Sequence, residues 1–447
     1  MVEKRRVVVL DVVGLTPSHF NCRENMPYLS ALLDRGRLTA MRPVFPCVTL
    51  PVQASLTTGA TPQEHGVVSN GFYFTESRQV SFWEQPSTLV QKERIWDRLK
   101  KKDPALKTAA LFFQNTLYAS CDAVITPKPL HTDEGLIQWC YSKPVGLYED
   151  ICEEIGEFNL FHYWGPMASI ESTRWISKAA VEAMARIRPN LLLVYMPHLD
   201  YCSQRLGPES PLIGEELKQL DEEIGRIVRG VDDLGLTPET TFVVLSEYAF
   251  SAVRRDIPIN RLLRERGLLE VRTIKGREYL DFELSPAFAM VDHQTAHVYV
   301  KPGYGSPVLK ALESIDVMGL LIHGDGKKEH CVDHPRSGDF IAVSDRDRWF
   351  SYYWWDDPSK EPDFAPHVDI HRKPGFDPLE LFLEPGTFKI SQDTSLLRGS
   401  HGAPCVSNAD RVAFLVSGTQ TLDLDIPEDF SVTDVPALIE KILLPEA

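Results

Sequence analysis

The sequence predicts an α/β fold, a mostly parallel sheet flanked by helices on both faces with a smaller inserted α+β cap. Three observations carry this expectation. Short β-branched runs alternate with helical stretches. Most of the chemistry-bearing segments directly follow a strand-like run, and the texture of the chain changes after Phe250. At 447 residues the chain is long enough for a large core with an insertion.

In chain order, the first strand is expected at 7–10, Val7-Val8-Val9-Leu10, and a helix follows near 27–35. Further strands are expected at 108–113, 191–196 and 241–245, each a short apolar run followed by a polar segment. The stretch 213–231 reads as an amphipathic helix, because Leu217, Leu220, Ile224, Ile227 and Val228 recur at helical spacing between acids and bases. Beyond Phe250, 260–263 looks helical, 296–300 looks like a strand and 308–315 like another helix. These define a cap at 252–345 and leave 1–251 and 346–447 as the core. Residues 354–366, which begin Trp354-Trp355-Asp356-Asp357-Pro358, are expected to form an ordered surface loop, since prolines exclude a helix interior.

Composition narrows the function classes. A hydrophobic share of 43% and a charged share of 25% are those of a soluble globular protein. The net charge of −16 opposes nucleic-acid binding, which draws its affinity from a Lys and Arg excess. The eight cysteines are widely spaced without a CxxC pair, so buried thiols are expected rather than a disulfide framework. Met1 to Arg6 is charged and runs straight into the first strand, with no signal-like apolar segment, and no apolar run reaches about 20 residues. A cytoplasmic protein with no membrane partner is expected; the oligomeric state stays open.

Five segments carry chemistry. Asp11 ends the first strand, where an open α/β sheet places its ligands. Thr49 lies in Phe45-Pro46-Cys47-Val48-Thr49-Leu50-Pro51, just before a helix expected to begin near Pro51. Its oxygen is therefore near free N–H groups and the positive end of the helix dipole, which suits an alkoxide and an anionic ester. Asp200 and Gln204, four residues apart after the strand 191–196, can present two oxygens to one metal. Glu247 and Tyr248 end the strand 241–245. His401 sits between Gly399 and Gly402, which permit close backbone approach. Each alone has an ordinary structural use, such as a helix cap.

Taken in this order, the five segments resemble the nucleotide pyrophosphatase/phosphodiesterase branch of the alkaline-phosphatase superfamily. The resemblance runs from Asp11 to His401 and includes framing residues without chemistry: Phe45-Pro46, Thr58-Gly59, His65-Gly66, Asn70-Gly71-Phe72 and Gly207-Pro208. It implies an alkaline-phosphatase-like core, Thr49 as nucleophile and two divalent metal ions. Three ligand positions depart from the family pattern: Gln204 stands for His, Glu247 for Asp and Tyr248 for His.

Asp11, Thr49 and Glu247, with Tyr248 as a further ligand, would form an oxygen-only site that suits Mg²⁺, Mn²⁺ or Ca²⁺ better than Zn²⁺. Asp200, His401 and Gln204 would form the other. Asp369 and His371 are the candidate replacement ligands, because alternate residues of a strand share a face. The family's asparagine three residues after the nucleophile is Val52 here, so Gln53 and Asn70 become the candidate donors to a substrate oxygen. Sulfatase chemistry is excluded, because a threonine cannot become formylglycine.

The expected function is metal-dependent hydrolysis of a phosphodiester or phosphoanhydride, on a small phosphate ester or nucleotide-like substrate, through a phospho-threonine intermediate. Phosphomonoester hydrolysis at the same site and a non-catalytic metal- or phosphate-binding protein are the alternatives.

Overall fold

The computed structural model describes residues 5–418 and 424–444. Its centre is an eight-stranded sheet with spatial order Gly36–Met41, Val412–Ser417, Thr240–Leu245, Arg6–Val12, Leu191–Met196, Thr108–Leu111, Ala123–Pro127 and Cys140–Lys143. The five strands from Thr240–Leu245 to Ala123–Pro127 are parallel. Val412–Ser417 and Cys140–Lys143 pair antiparallel with their neighbours. Every residue of Arg6–Val12, Leu191–Met196 and Thr240–Leu245 is buried, so both faces of the sheet are covered.

One helical layer is made by Pro27–Asp34, Ile170–Ile187, His198–Leu206 and Ile213–Asp233, which pack on one another. A second group joins Thr49–Thr58, Ile95–Lys102 and Val435–Leu443. The apolar positions anticipated in 213–231 do face inward: Leu217, Leu220, Ile224 and Ile227 are buried. Each fully buried aliphatic side chain contributes roughly 1.5–3 kcal/mol.

A smaller four-stranded antiparallel sheet, in the order Ala287–Asp292, Thr295–Val300, Phe340–Ser344 and Met318–His323, has its own apolar core. That core draws in residues from Val253 to Leu397 together with Val80 and Phe82. The aromatic run is part of it: Tyr352, Tyr353, Trp354 and Trp355 are buried, and only the acidic stretch from Asp356 to Lys360 is exposed. The surface loop expected at 354–366 is thus corrected for its aromatic end, because burying two indoles outweighs the tendency of prolines and acids to stay at the surface.

Cys47, Cys121, Cys140 and Cys202 are buried free thiols, whereas Cys22 is exposed. Among the described residues no helix is long and apolar enough to cross a membrane.

Candidate active site

Sheet register brings the acids together. Asp11 pairs with Leu245 on one side and Tyr195 on the other, so Asp11, Glu247 and the helix His198–Leu206 that follows Met196 all emerge at one carboxyl edge. A two-residue ladder between Ser251–Ala252 and Gly399–Ser400 then lays His401 against the same edge. Gly399 is required there: a Cβ would stand 2.1 Å from the Ser203 carbonyl oxygen.

Thr49 is the first residue of the helix Thr49–Thr58, two residues earlier than expected, and all ten residues of that helix are buried. Gly59 closes it in the left-handed conformation, φ 73°. Of the N–H groups at the helix start, that of Leu50 donates to Asn70 Oδ1 at 2.9 Å, Pro51 has none, and that of Val52 bonds the Val48 carbonyl. What remains for an anion is the Thr49 N–H and the helix dipole.

Thr49 Oγ1 lies 3.0 Å from the Tyr248 hydroxyl, which in turn donates to Asp200 Oδ1 at 3.2 Å. Gln204 Nε2 donates to the other Asp200 oxygen at 2.8 Å. His401 Nε2 is 3.8 Å from Asp200 Oδ1, while its Nδ1 is 2.8 Å from the Cys47 carbonyl. The Tyr248 ring stacks on His401 at 3.6 Å with the planes 3° apart.

Gln53 Nε2 donates to Asp11 Oδ2 at 3.2 Å, and its Oε1 accepts from the Gln114 N–H at 2.7 Å. Asn70 uses its carbonyl on Leu50 and one amide hydrogen on Asp292. Both candidate substrate donors are thus engaged within the protein, each at both ends of its amide.

Burial sets the electrostatics. It raises the Asp11 carboxyl, and burial together with the Asp11 charge raises Glu247 well above the usual carboxylate range. Burial likewise pushes Asp200 up to about 6, against the pull of His293, the Tyr248 phenol and the Gln204 amide. Tyr248 is raised by burial and then by the charges of Asp200 and Glu247, so it stays a neutral phenol. His401 is held well below the ordinary imidazole value by burial and by His293 beside it.

The donor set accommodates divalent cations. Asp11 Oδ1, both Glu247 carboxylate oxygens, Gln204 Oε1 and His401 Nε2 are buried without a hydrogen-bond partner. An unsatisfied buried polar group costs about 1–3 kcal/mol, and a cation removes that cost. Asp11, Glu247 and the Thr49 hydroxyl are hard oxygens; Asp200, His401 and the Gln204 carbonyl mix oxygen with nitrogen.

Two expected residues are not brought to this centre. The segment holding Asp369 and His371 forms turns, not a strand; Asp369 is tied to Arg372, its N–H bonds Glu380, and His371 is exposed. Prolines at 366 and 374 and Gly375 close this segment before it can extend, so the shared-face argument fails.

His293 is the residue that sequence reasoning passed over. It lies in the two-residue turn between Ala287–Asp292 and Thr295–Val300, and its ring sits 3.7 Å from that of His401. The signal was an Asp-His pair at a hairpin turn, which belongs to no recognised motif. Arg336 donates to the carbonyls of Gly66 and Leu89 and covers the Phe72 ring, a structural role.

A helix-start hydroxyl, buried acids and an imidazole at the carboxyl edge of a parallel sheet place this protein with the α/β proteins that build a hydroxyl–carboxylate–imidazole centre from several strand ends. The sequence pattern of the type I phosphodiesterase/nucleotide pyrophosphatase family matches residues 7–377, and the chain belongs to that family.

Among its relatives is an uncharacterized pyrophosphatase/phosphodiesterase of Schizosaccharomyces pombe, 22% identical over 281 residues, which are 61% of this chain and 49% of that protein. Rat ectonucleotide pyrophosphatase/phosphodiesterase family member 1 is 24% identical over 252 residues, 55% of this chain and 24% of that protein. The matched stretch thus spans about half or less of these relatives. Murine ectonucleotide pyrophosphatase/phosphodiesterase 5 shares the fold with a TM-score of 0.62 at 16% identity, covering 99% of this chain and 97% of that one. Phosphonoacetate hydrolase from Sinorhizobium meliloti 1021 does so with a TM-score of 0.62 at 15% identity, covering 99% and 96%.

Proposed function

We propose that this protein is a metal-dependent hydrolase that cleaves a phosphodiester or phosphoanhydride bond of a nucleotide-like substrate through a phospho-threonine intermediate. The carrying observation is the placement of Thr49 Oγ1, at a helix start, on a hydrogen-bonded path to Asp200 and within the same buried centre as Asp11, Glu247 and His401.

Asp11, Glu247 and Thr49 would hold one divalent ion, and Asp200 and His401, with Gln204 beside them, the other; identity among Zn, Mn and Mg is left to experiment. When bound, such ions neutralise phosphate charge and lower the pKa of a hydroxyl. The chain's own residues do the rest. The Thr49 hydroxyl donates to the Tyr248 oxygen while the phenol donates to Asp200, a path that orients Thr49 Oγ1 and gives its proton an exit as the oxygen bonds phosphorus. The dipole of Thr49–Thr58 favours the anionic ester at its start. As the Thr49–phosphorus bond forms, the ester or anhydride P–O bond of the substrate breaks and its leaving oxygen departs, taking a proton from solvent. Water then attacks phosphorus, breaks the Thr49–phosphorus bond, releases the phosphate and restores the hydroxyl.

Two observations support the substrate class: the murine member 5 structure is also known as an inactive threonine-to-alanine form in complex with AMP, and the family is named for phosphodiesterases and nucleotide pyrophosphatases. A cationic side chain for a doubly charged monoester is absent from the nucleophile helix, Thr-Leu-Pro-Val-Gln-Ala-Ser-Leu-Thr-Thr, which favours a diester or anhydride.

The test is turnover of bis-p-nitrophenyl phosphate and p-nitrophenyl phosphate with Mn²⁺, Mg²⁺ or Zn²⁺, beside Thr49→Ala. Diester turnover that falls at least about 10³-fold in Thr49→Ala is expected. No turnover with any metal, together with no bound metal by elemental analysis, sinks the enzyme reading. That outcome would favour a phosphate-binding protein, the reading to which the Tyr248 phenol wedged between Thr49 and Asp200 lends its weight.

A further inference from the structure

The second metal position is short of a ligand. Asp200 and His401 supply two donors, whereas a catalytic zinc-type site takes three from the protein and keeps one position open. The family's third, an imidazole, is Gln204 here, and its amide nitrogen is spent on Asp200 at 2.8 Å. Its remaining donor is a neutral amide oxygen.

We infer that His293, carried by the hairpin turn of the smaller sheet, is the third ligand of this position and stands in for the imidazole that Gln204 replaces. The inference rests on the metal-dependent reading above.

The His293 side chain is 3% exposed, and its Nε2 has no partner. Its Nδ1 is 2.9 Å from Asp292 Oδ1. A carboxylate only accepts, so this contact assigns the hydrogen to Nδ1 and leaves the Nε2 lone pair free. His401 obeys the same logic: Nδ1 faces the Cys47 carbonyl, an acceptor, and Nε2 is buried and unpartnered. Metal-bound imidazoles are regularly prepared in this way, with the distal nitrogen donating to a carboxylate or a backbone carbonyl.

Asp292 is itself fixed. It accepts from Ser69 Oγ at 2.8 Å, the Asn70 N–H at 2.8 Å and Asn70 Nδ2 at 3.1 Å, so it acts as a positioning residue for the ring. Phe376 covers the His293 ring at 3.8 Å, and the His401 ring lies 3.7 Å from it. The turn also holds His293 at φ 60°, a conformation costly for a side-chain-bearing residue. The His401 carbonyl accepts from the Gln294 N–H at 2.8 Å, which ties this turn to the His401 loop.

Among the described residues, the trio of His, Cys and carboxylate donors within 4.8 Å of one another is His198, Cys202 and Glu216, about the helix that carries Asp200. Its geometry is explained by a 2.8 Å hydrogen bond from His198 to Glu216, and burial keeps the Cys202 thiol protonated. Asp200, His293 and His401 do not meet that limit, so an ion that takes all three must draw their donor atoms closer together.

The test uses the full chain loaded with Zn²⁺, with metal content by elemental mass spectrometry and imidazole count by zinc X-ray absorption. Wild type is expected to hold two ions per chain. His293→Ala and the bulkier His293→Gln should each lose one ion and, with it, the imidazole scattering, because the remaining position has oxygen donors only. Asp292→Asn should weaken the second ion's affinity by about 10- to 100-fold. His293 variants that keep both ions with undiminished imidazole scattering overturn the inference. Should a His293 variant fail to fold, the wild-type spectrum still decides, because scattering from one imidazole rather than two per chain excludes His293. Wild type that binds no ion overturns the metal-dependent reading itself, and this inference falls with it.

Discussion

Tyr248 is the residue that most sets this centre apart. Where the family pattern has an imidazole, a neutral phenol here bridges the Thr49 hydroxyl and an acid, 3.0 Å from Thr49 Oγ1 and 3.2 Å from Asp200 Oδ1. Tyr248→Phe keeps the ring that stacks on His401 and removes only the hydroxyl. If the phenol conducts the Thr49 proton, turnover should fall by roughly 10²-fold, the lower range for a positioned acid–base group. Stability should change by only about 1 kcal/mol, the net worth of such hydrogen bonds. Steady-state kinetics beside urea unfolding checks both, and unchanged kcat removes Tyr248 from the proton path. Sequence alone exposed the substitution at this position but not its consequence, because a hydroxyl's partners depend on how Thr49–Thr58 and the Tyr248 segment face each other.

At the scale of elements, the centre depends on how closely the loop before His401 approaches the helix His198–Leu206. Gly399 sits under the Ser203 carbonyl, and the Arg398 N–H donates to the Gln204 carbonyl at 2.9 Å, so the loop is stitched to the helix that bears Asp200 and Gln204. Gly399→Ala puts a methyl carbon 2.1 Å from a backbone oxygen that cannot rotate away. We expect a loss of about 1–3 kcal/mol in unfolding free energy, the usual cost of overpacking, together with reduced metal affinity as Asp200 and His401 separate. Wild-type stability and zinc affinity in this variant would show that the approach is not needed.

Elements of this kind were legible to different degrees. The strand 191–196 matches the observed Leu191–Met196, and the long amphipathic helix is off only at its end, because continuous apolar runs and 3.6-residue periodicity are local signals. The meeting of Asp11, Thr49, Asp200 and His401 was legible because each lies at or near the start or end of a short, locally recognisable element. His293 was not, since nothing local distinguishes an imidazole in a hairpin turn from one at the surface, and it meets His401 from more than 100 positions away. The pair Asp369 and His371 failed for the opposite reason: the local alternation was real, but turns override it.

At the scale of the whole molecule, the larger and smaller cores are tied by buried, uncharged histidines. His297, in the strand Thr295–Val300, accepts from the Gly338 N–H at Nδ1, 3.1 Å, and its Nε2 lies 3.0 Å from the Val68 carbonyl. With Nδ1 accepting, Nε2 carries the hydrogen and the ring is neutral. Burial lowers its pKa to about 4, below the ordinary 6.5. A histidine depressed in the folded state contributes stability that is complete above its unfolded pKa near 6.5 and is lost as pH falls toward 4, at about 1.4 kcal/mol per pH unit. His65 has the same sign, lowered to about 3 by burial and then by Arg94, His334 and Arg336. The acids Asp11, Glu247 and Asp200, all raised by burial, carry the opposite sign over much of this range, so the raw pH profile mixes both. The informative quantity is therefore the difference between wild type and His297→Gln, whose amide can supply a donor and an acceptor without titrating. Urea unfolding between pH 7.5 and 4.5 should show the two proteins offset by a constant amount above pH 7. Below pH 6.5 wild type should lose up to about 1.4 kcal/mol per unit more than the variant. Curves that stay parallel down to pH 4.5 would mean that His297 accepts its proton without cost, and that the contact between Gly338 and Val68 does not depend on a neutral ring.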